Sequence, residues 1–343
     1  MKMPVASITS VAQLEEACEE FRDVAKRLRA EVGKALIGQR EVIEEVFTAL
    51  FANGHVLLEG VPGLGKTLLV RTLGQALGLS FSRIQFTPDL MPADIVGTQI
   101  VVDGGASGAR TLAFRPGPIF AQILLADEVN RASPKSQSAL LEAMQERTVT
   151  VGGETRALER PFLVLATQNP IEQEGTFPLP EAQLDRFLLK VVVPYASRDD
   201  LAEIVNRTTA PTANQPKVQQ VITGEEISLA QQLARAVLMA PHVQDYAVRI
   251  VLATHPGDHA SDAVNRLVLV GSSPRGAQGL VAAAKVRALL NGRSAASTQD
   301  VTAVARSVLR HRIARSFEAE AAGETTDSIL EQILAETPPE AQP

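Results

Sequence analysis

The sequence predicts an α/β fold, a parallel sheet sandwiched between helices, followed by a separate all-helical unit. Three observations carry this expectation. Between residues 55 and 193, short β-rich apolar runs alternate with longer amphipathic stretches, as in a sheet covered on both faces. A glycine-rich loop joins the first of those runs to a helix. After Pro194, helical spacing replaces strand spacing.

In chain order, a helix starts at Ser10, with Gln13 three positions on as a capping-box partner. Leu14, Cys18, Phe21, Ala25, Leu28 and Val32 follow at four- and three-residue steps and draw one apolar stripe, so Cys18 is expected as a small hydrophobe in a packing seam. Strands are expected at His55–Glu59, Phe81–Phe86, Ile123–Asp127, Phe162–Thr167 and Phe187–Val193. Two hairpins interrupt them. Gln99–Val102 and Thr111–Phe114 flank the glycine-rich Asp103–Gly108, and Thr148–Val151 and Thr155–Ala157 flank Gly152-Gly153. Helices are then expected at Ser197–Arg207, Ser228–Met239, Gln244–Thr254, Pro274–Asn291 and Thr298–Ile313, and strands cease. The resulting division is an N-terminal helix (1–34), a core with two hairpin inserts (35–195), a helical unit (196–322), and a short helix with an acidic, proline-rich, mobile tail (323–343).

Composition narrows the function classes. The 343 residues are 45% hydrophobic and 21% charged, with a formal net charge of −6, which suits globular domains. That acidic balance gives no footprint for non-specific nucleic-acid binding. Tyr195 and Tyr246 are the only tyrosines and tryptophan is absent, so no stacking platform for single strands is expected either. No secretory signal and no apolar run of membrane-spanning length is visible, and a single cysteine excludes an intramolecular disulfide and a cysteine-rich zinc site. Cytosolic residence is the simplest expectation. His255 and His259 look like metal ligands, but Pro256-Gly257 breaks the helical spacing that would align them.

Gly60-Val61-Pro62-Gly63-Leu64-Gly65-Lys66-Thr67 fits G-x-x-x-x-G-K-[ST] at every fixed position, between a strand and a helix that continues with Leu68. Glycines there let backbone N–H groups approach phosphates, and the helix start adds unpaired donors and a positive dipole end. Lys66 is expected on the β- and γ-phosphates, and Thr67 on Mg²⁺. Downstream, the apolar run Ile123–Ala126 delivers Asp127-Glu128 at a strand end. Asp127 is expected in the Mg²⁺ shell, and Glu128 as the group that polarises the attacking water. ATP and Mg²⁺ are thus the expected cofactors.

Beyond the loop, the chain resembles AAA+ ATPases, and within them the MoxR family, from Ile37-Gly38-Gln39 to about residue 310. The resemblance rests on Phe86–Asp94, Phe114–Phe120, Ala126–Ala132, Ser138–Gln145, Ala166–Pro170 and Phe177–Phe187. It implies an AAA+ αβα core with a helical lid, and Ile37 and Gly38 beside the nucleotide. It further implies Asn169 as sensor 1, Arg186 as an arginine finger reaching a neighbouring subunit, and Arg275 as sensor 2. Arg131 would be a further interface cation, and Gln85 would restrain Glu128. The hairpins would face a ring pore or partners. A homo-oligomeric ring, most simply a hexamer, a partner with a von Willebrand factor A-type domain, and chaperone-like maturation or metal insertion are implied in the same way.

Two other readings compete: a magnesium-chelatase-like motor subunit, and a nucleotide-gated adaptor with little turnover. The Asp185-Arg186-Phe187 and Thr167-Gln168-Asn169-Pro170 segments favour MoxR over the first. The set Glu128, Asn169 and Arg186 argues against the second, because an adaptor needs no catalytic base.

Overall fold

Side chains alternate across a strand, so a sheet with apolar residues at every position must be buried on both faces. The computed structural model describes residues 8, 10–103, 110–170, 175–209 and 216–340. Its central sheet is wholly parallel, in the order Phe81–Gln85, Ile123–Asp127, Leu163–Gln168, Val56–Glu59, Leu189–Val192. Leu57, Leu124, Ala126, Val164 and Ala166 share one core with Leu140, Leu141 and Met144 of the helix Pro134–Glu146. Their neighbours Val56, Leu58, Leu125, Leu165 and Val191 join the opposite core with Phe47, Leu69 and Leu73. Each valine, leucine, phenylalanine or methionine among them, fully buried, contributes on the order of 1.5–3 kcal/mol.

The opposite core continues into the N-terminal helix and the helical unit. Helix Val11–Gly33 begins with the expected Ser10–Gln13 capping box and buries Leu14, Cys18, Phe21, Ala25, Leu28 and Val32. Phe21 meets Phe51 edge-on at 4.9 Å, docking this helix on Arg40–Phe51. Burial pushes the Cys18 thiol up to about 11, so it stays protonated and acts as packing. No described helix is long and apolar enough to cross a membrane.

Past residue 194 the structure corrects two expectations and adds one element. Strands do not cease, because Leu238–Met239 pairs with Ala295–Ala296 and Val268–Val270 with Ala314–Arg315. Runs of two or three residues show no periodicity to read. The second helix is Gly224–Ala236, starting from a Thr223–Glu226 capping box rather than from Ser228. A short helix, Asp262–Leu267, capped by Ser261, follows the histidine segment.

The hairpins are Gly97–Asp103 with Arg110–Pro116, and Thr148–Val151 with Glu154–Ala157. The first hairpin's turn, residues 104–109, lies outside the described residues. The two hairpins touch, with the Arg156 guanidinium 4.2 Å from the Phe114 ring centroid. The tail carries helix Thr326–Glu336, and Arg249 donates to the carbonyls of Pro338 and Pro339 at 2.8 and 3.0 Å. The described tail thus contacts the helical unit as far as Pro339; residues 341–343 lie outside the described residues.

Candidate functional site

Strand Val56–Glu59 ends where the loop Gly60–Gly65 begins, and helix Lys66–Leu77 follows. Gly63 and Gly65 hold φ of +87° and +77°, left-handed conformations that glycine adopts without a Cβ penalty. The turn at Gly65 caps the helix and aims its unpaired N–H groups into the loop. Val61, Pro62 and Leu64 complete the loop, while Thr67 and Leu68 are exposed on the first helical turn. Gln39 ties the preceding segment to the loop, donating from Nε2 to the Leu64 carbonyl at 2.6 Å. This brings Ile37 and Gly38 alongside; Gly38 has φ +72°, and a Cβ there would fall 2.4 Å from the Asp200 carboxylate. A groove of about 950 Å³ is bounded by Ile37, Gly38 and Gln39 on one side and Lys26, Arg29 and Asp200 on others, and no residue of the loop 60–67 lines it.

Lys66 curls back to donate to the Gly60 carbonyl at 2.6 Å. Burial lowers its pKa, while Asp127 and Glu128 pull it upward, so the ammonium lies within their field. The register explains why. Val56 and Leu125 both pair with Leu165, which brings the ends of strands 56–59, 163–168 and 123–127 level at one carboxyl edge. Strands ~4.8 Å apart then put Glu59 and Asp127 about two spacings, roughly 10 Å, from each other.

Both carboxylates are closely held. The Thr167 hydroxyl donates to Asp127 Oδ1 at 2.6 Å and accepts from the Glu128 backbone N–H at 2.8 Å. Arg83, from the neighbouring edge strand, reaches Asp127 Oδ2 at 2.6 Å with Nη2, and the same nitrogen donates to Gln85 Oε1 at 2.8 Å. Gln85 Nε2 and Arg131 Nη1 both donate to Glu128 Oε2 at 2.9 Å. Glu128 itself has φ +56°, a left-handed geometry that costs a non-glycine residue about 1 kcal/mol or more. Thr67 and Asp127 are hard oxygen donors. Among the described residues, no group of three or more His, Cys, Asp or Glu could hold a metal. That donor set fits Mg²⁺, which keeps waters and shares its shell with phosphate oxygens rather than filling a protein cage; each carboxylate oxygen retains a second lone pair for it.

Asn169 follows strand Leu163–Gln168 and is buried, one residue beyond the level of Glu59 and Gln168. Arg186 does not pair with Asp185 or Glu181; its Nη1 donates to the Leu141 carbonyl at 2.9 Å. Arg275 sits in the first turn of helix Pro274–Leu290, its Nη1 3.6 Å from Asp185 Oδ2. Within one chain the structure thus gathers Lys66, Asp127, Glu128, Gln85 and Arg131 at the sheet edge, while Arg186 turns to Leu141 and Arg275 to Asp185. Sequence reasoning missed Arg83, Thr167, Ser273 and Arg312. Thr167 carried a signal, since a hydroxyl within a buried apolar strand needs a partner. Arg312 carried none, its partner Asp185 being 127 residues away.

Residues 55–189 match the model of an ATPase family associated with various cellular activities, and residues 260–333 match an AAA lid domain. The chain is similar to Chaperone MoxR1 of Mycobacterium tuberculosis, 44% identical over 305 residues, spanning 89% of this chain and 79% of that protein. It is 34% identical over 311 residues to Protein MoxR of Methylorubrum extorquens, spanning 86% and 88%. The crystal structure of a candidate ATPase from Cytophaga hutchinsonii superposes with a TM-score of 0.87 at 40% identity, covering 95% and 97% of the two chains.

Proposed function

Because this chain belongs to the MoxR family of AAA+ ATPases, we propose that it binds ATP with Mg²⁺ at the carboxyl edge of its sheet and uses hydrolysis to remodel partner proteins. The observation that carries the assignment is the meeting of the loop 60–67 with Asp127 and Glu128, felt electrostatically at Lys66. Backbone N–H groups of the loop cradle the phosphates, and Lys66 leaves the Gly60 carbonyl to neutralise the β- and γ-oxygens. Thr67 and Asp127 would hold Mg²⁺, which when bound offsets charge developing on the phosphate oxygens. Glu128 takes a proton from the attacking water, and Asn169 orients that water. Ile37 and Gly38 flank the nucleotide, with Leu64 and Leu68 as neighbouring apolar contacts.

The site is completed between subunits. Arg186 serves a neighbour's phosphate in a homo-oligomeric ring, most simply a hexamer, and Arg275 couples the γ-phosphate to movement of the helical lid. The chaperone-named relatives support a remodelling role; the client carries a von Willebrand factor A-type domain, and the work is maturation or metal insertion in the cytoplasm. Steady-state phosphate release from wild type and Glu128→Gln tests the hydrolytic assignment. A loss of about 10²-fold or more is expected; equal rates would instead support a nucleotide-gated adaptor. An ATP-loaded Glu128→Gln trap should capture a protein with such a domain, and capturing none from the native host would count against the client class.

A further inference from the structure

Asp185 stands where the core meets the helical lid, immediately before Arg186, and its carboxylate receives two hydrogen bonds and one longer ion pair from the lid. Oδ1 accepts from Arg312 Nε at 2.8 Å. Oδ2 accepts from the Ser273 hydroxyl at 2.9 Å and faces Arg275 Nη1 at 3.6 Å.

The two arginines are held very differently. The Arg312 side chain is 3% exposed, and its remaining N–H groups donate to the Phe187 and Leu188 carbonyls at 2.6 and 3.1 Å. That contact is buried and over-determined, and it fixes Asp185 to the lid with or without Arg275. The Arg275 side chain is 46% exposed and its contact is long. Such a pair is weak and exchangeable. Two guanidiniums also share a single carboxylate, and Arg275 disfavours the charge on Arg312. The second cation is therefore the one that another anion can draw away.

We propose that Asp185 is a positioning residue that holds the Arg275 guanidinium in reserve, so that a nucleotide triphosphate must win Arg275 from Asp185 while a diphosphate need not. This rests on Arg275 being the γ-phosphate sensor. The exchange lowers triphosphate affinity selectively, since only the triphosphate pays to vacate the resting contact.

The test is the ratio of ADP to ATPγS dissociation constants, measured by calorimetry on the full chain with Mg²⁺. The proteins are wild type, Asp185→Asn, Arg275→Ala and the double variant, each checked by thermal melting. Asparagine keeps an acceptor for Arg312 but turns the Oδ2 position against Arg275. Asp185→Asn should raise the preference for ATPγS about two- to fivefold, and the double variant should match Arg275→Ala alone. A merely structural Asp185 would change both affinities alike, or shift the ratio equally in the Arg275→Ala background; either result overturns the proposal. If Arg275→Ala by itself leaves the ratio at the wild-type value, the sensor role fails first. Should Asp185→Asn not fold, Ser273→Ala leaves Oδ2 to Arg275 alone and should lower the preference, and a rise would refute it.

Discussion

Gln85 Nε2 lies 2.9 Å from Glu128 Oε2, the oxygen that Arg131 also reaches at 2.9 Å. The carboxylate proposed to activate water is thus held from the edge strand Phe81–Gln85 while its backbone is kept at φ +56°. Hydrogen bonds to a charged carboxylate are worth ~1.5–3 kcal/mol, enough to orient Glu128 away from a reacting water. Gln85→Ala is expected to raise unstimulated kcat by up to roughly tenfold with KM unchanged, read by steady-state phosphate release. A fall in kcat would mean that Gln85 aims Glu128 rather than restrains it.

Gly65 adopts φ +77°, and a Cβ at this position would meet only Gln39 Nε2, at 3.9 Å. Gly65→Ala therefore tests backbone geometry with almost no steric clash. Forcing alanine into the left-handed region costs ~1–2 kcal/mol. The loop should relax out of its cradle, weakening ATP binding by tenfold or more while the thermal midpoint without nucleotide moves little. Unaltered affinity in a calorimetric titration would exclude the loop as the phosphate cradle.

These two positions mark what the sequence makes legible. The loop was readable because its glycines, Lys66 and Thr67 are fixed by local chemistry, and the three inner strands because buried parallel strands are nearly continuous apolar runs, whereas the edge strand Phe81–Gln85 buries only Ile84. The carboxylate pair at 127–128 was readable as a strand end. Gln85 beside Glu128 came only through the family resemblance, and what holds Asp127 was not legible: Arg83 and Thr167 act through the lateral order of strands, which puts 123–127 between 81–85 and 163–168 and which no local pattern encodes. Asp185 shows the same limit, since its tie to Arg312 spans 127 residues. The two- and three-residue strands of the lid escaped because they are set by helix packing rather than by alternation.

His55 is buried at the start of the strand that leads to the loop. Its Nδ1 accepts from the Val164 backbone N–H at 3.0 Å, which leaves Nε2 to donate to the Met144 carbonyl at 3.1 Å. Only the neutral ring makes both bonds, and burial, with Arg147 nearby, lowers its pKa from the ordinary 6.5 to about 4. Because the folded form resists protonation, the stabilisation is fully present above pH 6.5 and is lost as pH falls toward 4. Denaturant titrations at pH 7.5 and 5 should differ by ~2 kcal/mol from this residue. His311, also buried and shifted downward, should add to the loss. Greater stability at pH 5 would contradict the neutral-ring assignment.

Arg186 offers the sharpest separation of a ring-completing residue from a structural one. Its guanidinium is partly exposed and spends one N–H on the Leu141 carbonyl, leaving others for a phosphate on an adjoining subunit. A cation so supplied stabilises the spreading charge of phosphoryl transfer and is worth ~10³–10⁵ in rate. Arg186→Ala should lose activity on that scale while binding ATP almost as well as wild type. Mixing decides the direction of action. Glu128→Gln subunits keep Arg186 but lack the base, and Arg186→Ala subunits keep the base but lack the finger. Interfaces that pair an intact Glu128 with a neighbour's intact Arg186 should recover hydrolysis that neither variant shows alone. Verified mixed rings that stay inactive would assign Arg186 to its own chain, holding helix Pro134–Glu146 in place, and would remove the reason for the site to require a second subunit.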